Sequence, residues 1–274
     1  MGGETATTPN AFIQKKVNHI FHYTKSLQSL TGILKNGFVP SYCLERINKE
    51  LAYYIPMVSF CNIPLSDVGD YIFYGRYGIG LSLDWAMTNR ISPVAYVHEN
   101  TPFATLHRDL NYKYLMHILL ARFDHYMSSE SPYENWERDF EKNKDLLMEI
   151  NRITVPTLQF FKNWKTEYQG QEIITYLERE WRFVPEVADG ERIVLATDEK
   201  SVDAIHKRDK PHFPDHALYI KDLTQLRYVI MDSPAEREQI FDVLTKTFGE
   251  SVVIEAIVDG RLFLLTWEQI RNDF

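Results

Sequence analysis

The run Tyr176-Leu177-Glu178-Arg179-Glu180-Trp181-Arg182-Phe183-Val184-Pro185 restricts the fold more than any other stretch of the chain. Alternate residues of a strand share a face, so this run, as a strand, carries Glu178, Glu180 and Arg182 on one side. Leu177, Trp181 and Phe183 lie on the other side, interrupted by Arg179, and Pro185 ends the run. Such a strand is an edge whose charged face is simply solvated, a short ion-pair ladder, or half of a site. Two carboxylates and a guanidinium on one face suit a ribose, a phosphate or a cationic transition state, and another region must then supply the other half.

The N-terminal part offers that region. Ile20-Phe21-His22-Tyr23-Thr24 reads as a short strand with His22 and Thr24 on the same side. Ser26 then caps a helix with Leu27, Leu30, Ile33 and Leu34 at helical spacing, which stops at Asn36-Gly37. Pro56 to Cys61 is a buried strand closed by a turn at Asn62-Ile63-Pro64, and a short helical turn starts near Ser66 or Asp67. The stretch Tyr74-Gly75-Arg76-Tyr77-Gly78-Ile79-Gly80-Leu81-Ser82 carries three glycines without the spacing of a dinucleotide fingerprint or phosphate loop. It is a glycine-rich turn or, with Arg76, Tyr71, Tyr74 and Tyr77 beside it, a cradle for an aromatic or phosphorylated ligand.

Further on, Asp84 to Met87 opens a short helix and Val94 to Val97 is a strand. Asp189-Gly190 turns between two antiparallel strands, the second being Arg192 to Ala196. Leu226 to Met231 is a buried strand, Asp232-Ser233-Pro234 caps a helix from Ala235 to Phe248, and Val252 to Val258 reads as a strand that turns at Asp259-Gly260 into another. Together these predict an α+β fold, a mixed, largely antiparallel sheet with peripheral helices. The expected organisation is a single domain over residues 1–274 with a helical, charge-rich insertion at about 102–170.

The composition narrows the function. Thirty basic against 38 acidic residues, a net charge of −8, exclude a broad electrostatic footprint for nucleic acid. Cys43 and Cys61 are the only cysteines, and His107, His117 and His125 form no His-Glu-x-x-His motif, so no metal site is expected. No stretch approaches the length of a membrane span, and a cytoplasmic protein with a small-molecule or protein partner is expected.

His22-Tyr23-Thr24, followed by Ile33-Leu34 and Gly37-Phe38, resembles the opening of ADP-ribosyltransferase-like folds. That resemblance implies NAD as cofactor, with His22 and Thr24 on the nicotinamide ribose, Arg76 on the pyrophosphate and Tyr77 on the nicotinamide ring. Ser82 stands where the histidine class of that fold carries its stacking tyrosine. Glu180 would then be the catalytic residue that stabilises the ribosyl cation, and Glu178 would position the acceptor. Over its whole length the chain resembles the AbiGi family of bacterial abortive-infection proteins, on Phe21-His22-Tyr23-Thr24, Gly37-Phe38-Val39-Pro40, Tyr42-Cys43-Leu44-Glu45, Pro56 to Ser66, Tyr74 to Leu81 and Glu178 to Arg182. This second resemblance implies a part in phage defence as the antitoxin half of a two-gene pair, with a cognate toxin as partner. Two functions are thus expected: NAD-dependent ADP-ribosyl transfer or NAD hydrolysis, or non-catalytic neutralisation of a toxin by protein binding through the acidic surface and the Ser128 to Lys144 segment.

Overall fold

The computed structural model of the chain describes residues 17–46, 52–98, 100–102, 156–168, 170–187, 194–195 and 213–274. Strand β1 (His19–Thr24) leads into helix α1 (Leu27–Asn36), whose N-cap Ser26 accepts from the Ser29 amide at 3.1 Å. Gly37 closes the helix at φ 77°, where a Cβ would lie 2.5 Å from the Leu218 carbonyl oxygen. The strand, the cap and the stop are as the sequence predicts.

Next come β2 (Ser41–Arg46), which the sequence reading did not anticipate, and β3 (Ala52–Cys61), followed by a 3-10 helix over Leu65–Tyr74. Then follow β4 (Tyr77–Ser82), α2 (Leu83–Thr88), β5 (Ser92–Pro93) and β6 (Ala95–Val97). After residues 156–159, which are helical, the chain makes β7 (Phe161–Asn163), β8 (Thr166–Tyr168), β9 (Gln171–Ile173), β10 (Glu180–Phe183) and β11 (Val194–Leu195). The C-terminal part supplies β12 (Leu226–Met231), α3 (Arg237–Phe248), α4 (Glu250–Val258), β13 (Phe263–Thr266) and α5 (Trp267–Asp273).

The main sheet runs β13-β12-β4-β1-β3-β10-β5, with β2 and β11 also on β3. Its pairs are antiparallel except β12 with β13, which are parallel and joined through α3 and α4. The fold is therefore α+β with a largely antiparallel sheet, as predicted. Strand β3 is long enough to change partners along its length: Ala52–Met57 pairs with β2, and Val58–Cys61 pairs with β10.

Both faces of the sheet are covered. On one face, Leu30, Leu34, Trp85, Ile240 and Val243 from the helices pack against Ile20, Phe60, Ile79 and Val229. On the other, Phe21, Cys61 and Ile230 meet Val68, Trp267 and Ile270. The glycines of β4 are a packing device on this second face. A Cβ at Gly80 would lie 2.6 Å from Phe21 and 2.9 Å from Tyr228, and one at Gly78 would lie 2.8 Å from Tyr23, so rings from β1 and β12 lean across a bare β4.

Two expectations of secondary structure are corrected. Val252 to Val258 is helical, not a strand: Val253 and Ala256 are buried three residues apart, and packing of α4 against α3 overrides the β-propensity of the Val-Val-Ile run. The strand at 194–195 pairs with β3 rather than with the Glu180 strand. Of the expected insertion, residues 103–155 lie outside the described residues, including Ser128 to Lys144 and the three histidines, while its end forms β7 and β8.

Candidate functional site

The expected charged strand is shorter than the sequence suggests, and the difference builds the site. Thr175–Glu178 is a 3-10 turn, Arg179 is left-handed at φ 45°, and only Glu180–Phe183 is strand, so Glu178 does not share a strand face with Glu180. The left-handed residue reverses the chain locally and brings both carboxylates to one cation. Lys162 Nζ, on β7, donates to Glu178 Oε2 at 3.0 Å and to Glu180 Oε2 at 2.6 Å.

Arg182 lies opposite Ser59 on β3 and has no exposed surface. Its Nε donates to Glu180 Oε1 at 2.7 Å and its Nη2 to Glu180 Oε2 at 3.3 Å. Nη2 also meets Glu45 Oε1 at 2.7 Å, and Nη1 donates to the carbonyls of Gln159 and Phe161 at 2.9 and 3.3 Å. Ser59 Oγ donates to Glu180 Oε1 at 3.0 Å, and the Glu180 amide donates to Tyr96 Oη at 2.6 Å. Each oxygen of Glu180 thus accepts two hydrogen bonds, close to the full acceptor capacity of a carboxylate.

Electrostatics follow from this packing. Burial pushes the Glu180 carboxyl up, but Arg182 and Lys162 outweigh it and hold the group down at about 2. For Glu45 burial wins over Arg182 and Lys162, and its pKa is raised. Burial lowers the Lys162 ammonium, yet Glu180, Glu45 and Glu178 raise it well above the ordinary lysine value. Tyr74 is 44% exposed, but its hydroxyl reaches Glu178; burial of that phenol, with the Glu178 charge, raises its pKa. Three carboxylates and two cations therefore form one buried network in which the ionised forms of Glu180, Arg182 and Lys162 sustain one another.

The remaining predicted residues separate into three places. His22 touches the network indirectly: its Nδ1 meets the Ser59 carbonyl at 2.8 Å, its ring stands edge-on to Phe38 and Phe60, and burial lowers its pKa. Thr24 and Tyr77 pair at one end of β1 and β4, where Tyr77 donates to Glu236 Oε1 at 2.7 Å and Arg76 binds Asp232 at 3.1 Å. Ser82 is at the opposite end of β4, opposite His19, where it caps α2 by accepting from the Trp85 amide at 3.2 Å. Glu178, Glu180 and, through Ser59, His22 are brought together; Thr24, Arg76, Tyr77 and Ser82 are held by other partners.

Sequence reasoning missed Lys162, Glu45, Ser59 and Tyr96. Lys162 left one signal, a lone cation inside the aromatic run Phe160-Phe161-Lys162-Asn163-Trp164. Among the described residues no group of three or more His, Cys, Asp or Glu could hold a metal ion, and no helix is long and apolar enough to cross a membrane.

A family model described as "Putative abortive phage resistance protein AbiGi, antitoxin" matches residues 36–232, a span that contains Glu45, Ser59, Lys162, Glu178, Glu180 and Arg182 and excludes His22 and Thr24. The "Abortive phage resistance protein AbiGi" of Lactococcus lactis subsp. cremoris is 23% identical over 266 residues, which covers 87% of this chain and all of that relative. No solved structure matches the chain. The chain belongs to the AbiGi family of abortive phage-resistance proteins.

Proposed function

We propose that the chain acts in the cytoplasm as the antitoxin of an abortive-infection pair, neutralising a partner toxin by protein–protein binding rather than by chemistry. The observation that carries this reading is the coordination of Glu180. Its oxygens are already bonded to Ser59, Lys162 and Arg182, and the residue is 4% exposed, so the carboxylate serves the packing of β7 on β10 and β3. The family description of an antitoxin and the net charge of −8, which favours encounter with a basic partner, support the same reading.

A second reading, an ADP-ribosyltransferase-like site that transfers ADP-ribose from NAD or hydrolyses it, is favoured by one contact: Ser59 joins His22 through its carbonyl and Glu180 through its hydroxyl. One experiment separates the two. The chain is co-expressed with the toxin encoded beside it, growth and complex formation are measured, and purified chain is titrated with NAD by calorimetry while NAD loss is followed. Binding predicts protection, a stable complex, and neither heat nor NAD loss. Saturable NAD binding, with turnover lost in Glu180→Ala and weakened in the exposed-site variant Arg76→Ala, would replace the binding reading with the enzymatic one.

A further inference from the structure

Among the described residues, exposed large apolar side chains gather on two surfaces with different surroundings. One is on α4 and β13, with Val252, Ile254, Val258 and Phe263, and the charges beside it are matched within the chain: Arg261 pairs with Glu255 at 3.0 Å and with Asp259 at 3.3 Å. That surface lies beyond residues 36–232, the span that matches the family. The other is the turn before β10, where Ile174, Tyr176 and Leu177 are 41%, 60% and 48% exposed within four consecutive residues. This turn lies inside the matched span and carries Glu178 of the buried network.

The sequence Ile-Thr-Tyr-Leu-Glu makes the turn two-sided, because residues three apart in a 3-10 turn share a side. Thr175 and Glu178 take the inner side, where the Thr175 hydroxyl donates to the Asn163 carbonyl and Glu178 accepts from Lys162 at 3.0 Å. Ile174 and Leu177 take the outer side. The backbone is pinned as well. The Tyr176 amide donates to the Trp164 carbonyl at 3.1 Å, the Asn62 amide donates to the Arg179 carbonyl at 3.1 Å, and the Tyr176 ring stands edge-on to Tyr96 at 5.3 Å. A turn held this way keeps its apolar side chains outward, where most turns carry polar residues, and it loses little entropy on binding.

Arg179 closes the turn at φ 45°, a conformation that glycine adopts at lower cost. Its side chain is exposed, and among the described residues its guanidinium meets no carboxylate. Tyrosine and arginine around an apolar centre are the composition of a binding hot spot. We infer that this turn is the contact point for a partner protein: Ile174, Tyr176 and Leu177 enter an apolar hollow on the partner, and Arg179 pairs with a carboxylate at its rim. A second copy centred on the same turn would set Arg179 against its own counterpart, whereas an acidic rim matches it. The net charge of −8 acts at longer range, on encounter, and the local positive charge acts at contact. The partner's identity as the toxin rests on the antitoxin reading.

The test titrates the full chain with the toxin encoded beside it, by calorimetry at low and high salt, for the wild type, Tyr176→Ala, Leu177→Ala, Arg179→Gly and, on the other surface, Val258→Lys. Thermal melting checks the fold of each. Tyr176→Ala and Leu177→Ala should each weaken the complex about tenfold or more. Arg179→Gly should weaken it and reduce its salt dependence while melting at the same temperature or higher, since glycine relieves the left-handed backbone. Val258→Lys should bind as the wild type does. Turn variants that bind toxin as tightly as the wild type overturn the inference and leave the antitoxin reading standing; if Val258→Lys alone is weakened, the C-terminal surface takes the role instead. A wild type that binds no toxin removes the antitoxin reading and this contact with it. A homodimer that dissociates in Tyr176→Ala, with toxin binding unchanged, assigns the turn to a second copy and overturns the inference as well.

Discussion

Arg182 and Arg76 each hold a carboxylate, at 2.7 and 3.1 Å, in pairs whose side chains are 0% and 5% exposed in one case and 55% and 39% in the other. At the surface, water already solvates both charges, so bringing them together changes little. In the interior the desolvation cost is large, and only complete coordination offsets it. Arg182 meets this condition with contacts to Glu180, Glu45, Gln159 and Phe161, whereas Arg76 needs only Asp232. The same residue type thus serves as a structural clamp between β10, β2 and the approach to β7 in one half of the sheet, and as a solvated surface charge in the other.

The contrast is most exposed to test by removing each guanidinium. Arg182→Met leaves Glu180 and Glu45 buried against one remaining cation, and a loss of about 3–5 kcal/mol is expected in urea unfolding. A loss as small as that of the surface variant would break the comparison. A pH series sharpens it. Glu180 is held at about 2 against an ordinary 4.5, so its contribution is present in full above 4.5 and is lost as pH falls toward 2. That contribution amounts to about 3 kcal/mol by linkage. Glu45, whose pKa is raised, acts with the opposite sign, because its ionised form is disfavoured in the folded state as pH rises. The urea midpoint should therefore fall on acidification, and Glu180→Gln should flatten that dependence.

A smaller effect is expected in the apolar half. Gly80→Ala places a methyl group against Phe21 and Tyr228, rigid rings rather than flexible tails, and should cost about 1–3 kcal/mol by thermal melting. Arg76→Ala should cost at most about 1 kcal/mol, and raising the salt concentration should erase even that difference. A large, salt-independent loss there would mean that the exposed pair is coupled to something the comparison leaves out.

Local chemistry was legible in the sequence wherever it acts within a few residues. Ser26 and Gly37 mark the ends of α1 because a cap and a left-handed stop need only their own turn. The cap at Ser233 was legible for the same reason, and the structure adds Glu236 as the other half of a capping box. Strand β2 was not, since its register comes from Tyr42 and Glu45 lying opposite Pro56 and Tyr53, and no periodicity in Ser41–Arg46 announces it.

The sequence by itself set Glu178, Glu180 and Arg182 close together and required that they be solvated or matched, without saying which. It also determined the α+β class and the signatures that place the chain in its family. Only the tertiary structure decided what matches those charges. Lys162 comes from sixteen residues upstream of Glu178, Ser59 from 121 upstream of Glu180, and Glu45 from another strand on β3. The left-handed turn at Arg179, which aims both carboxylates at one ammonium, depends on the same packing. A buried charge is stabilised by groups brought near it in space, and sequence separation carries no record of that distance.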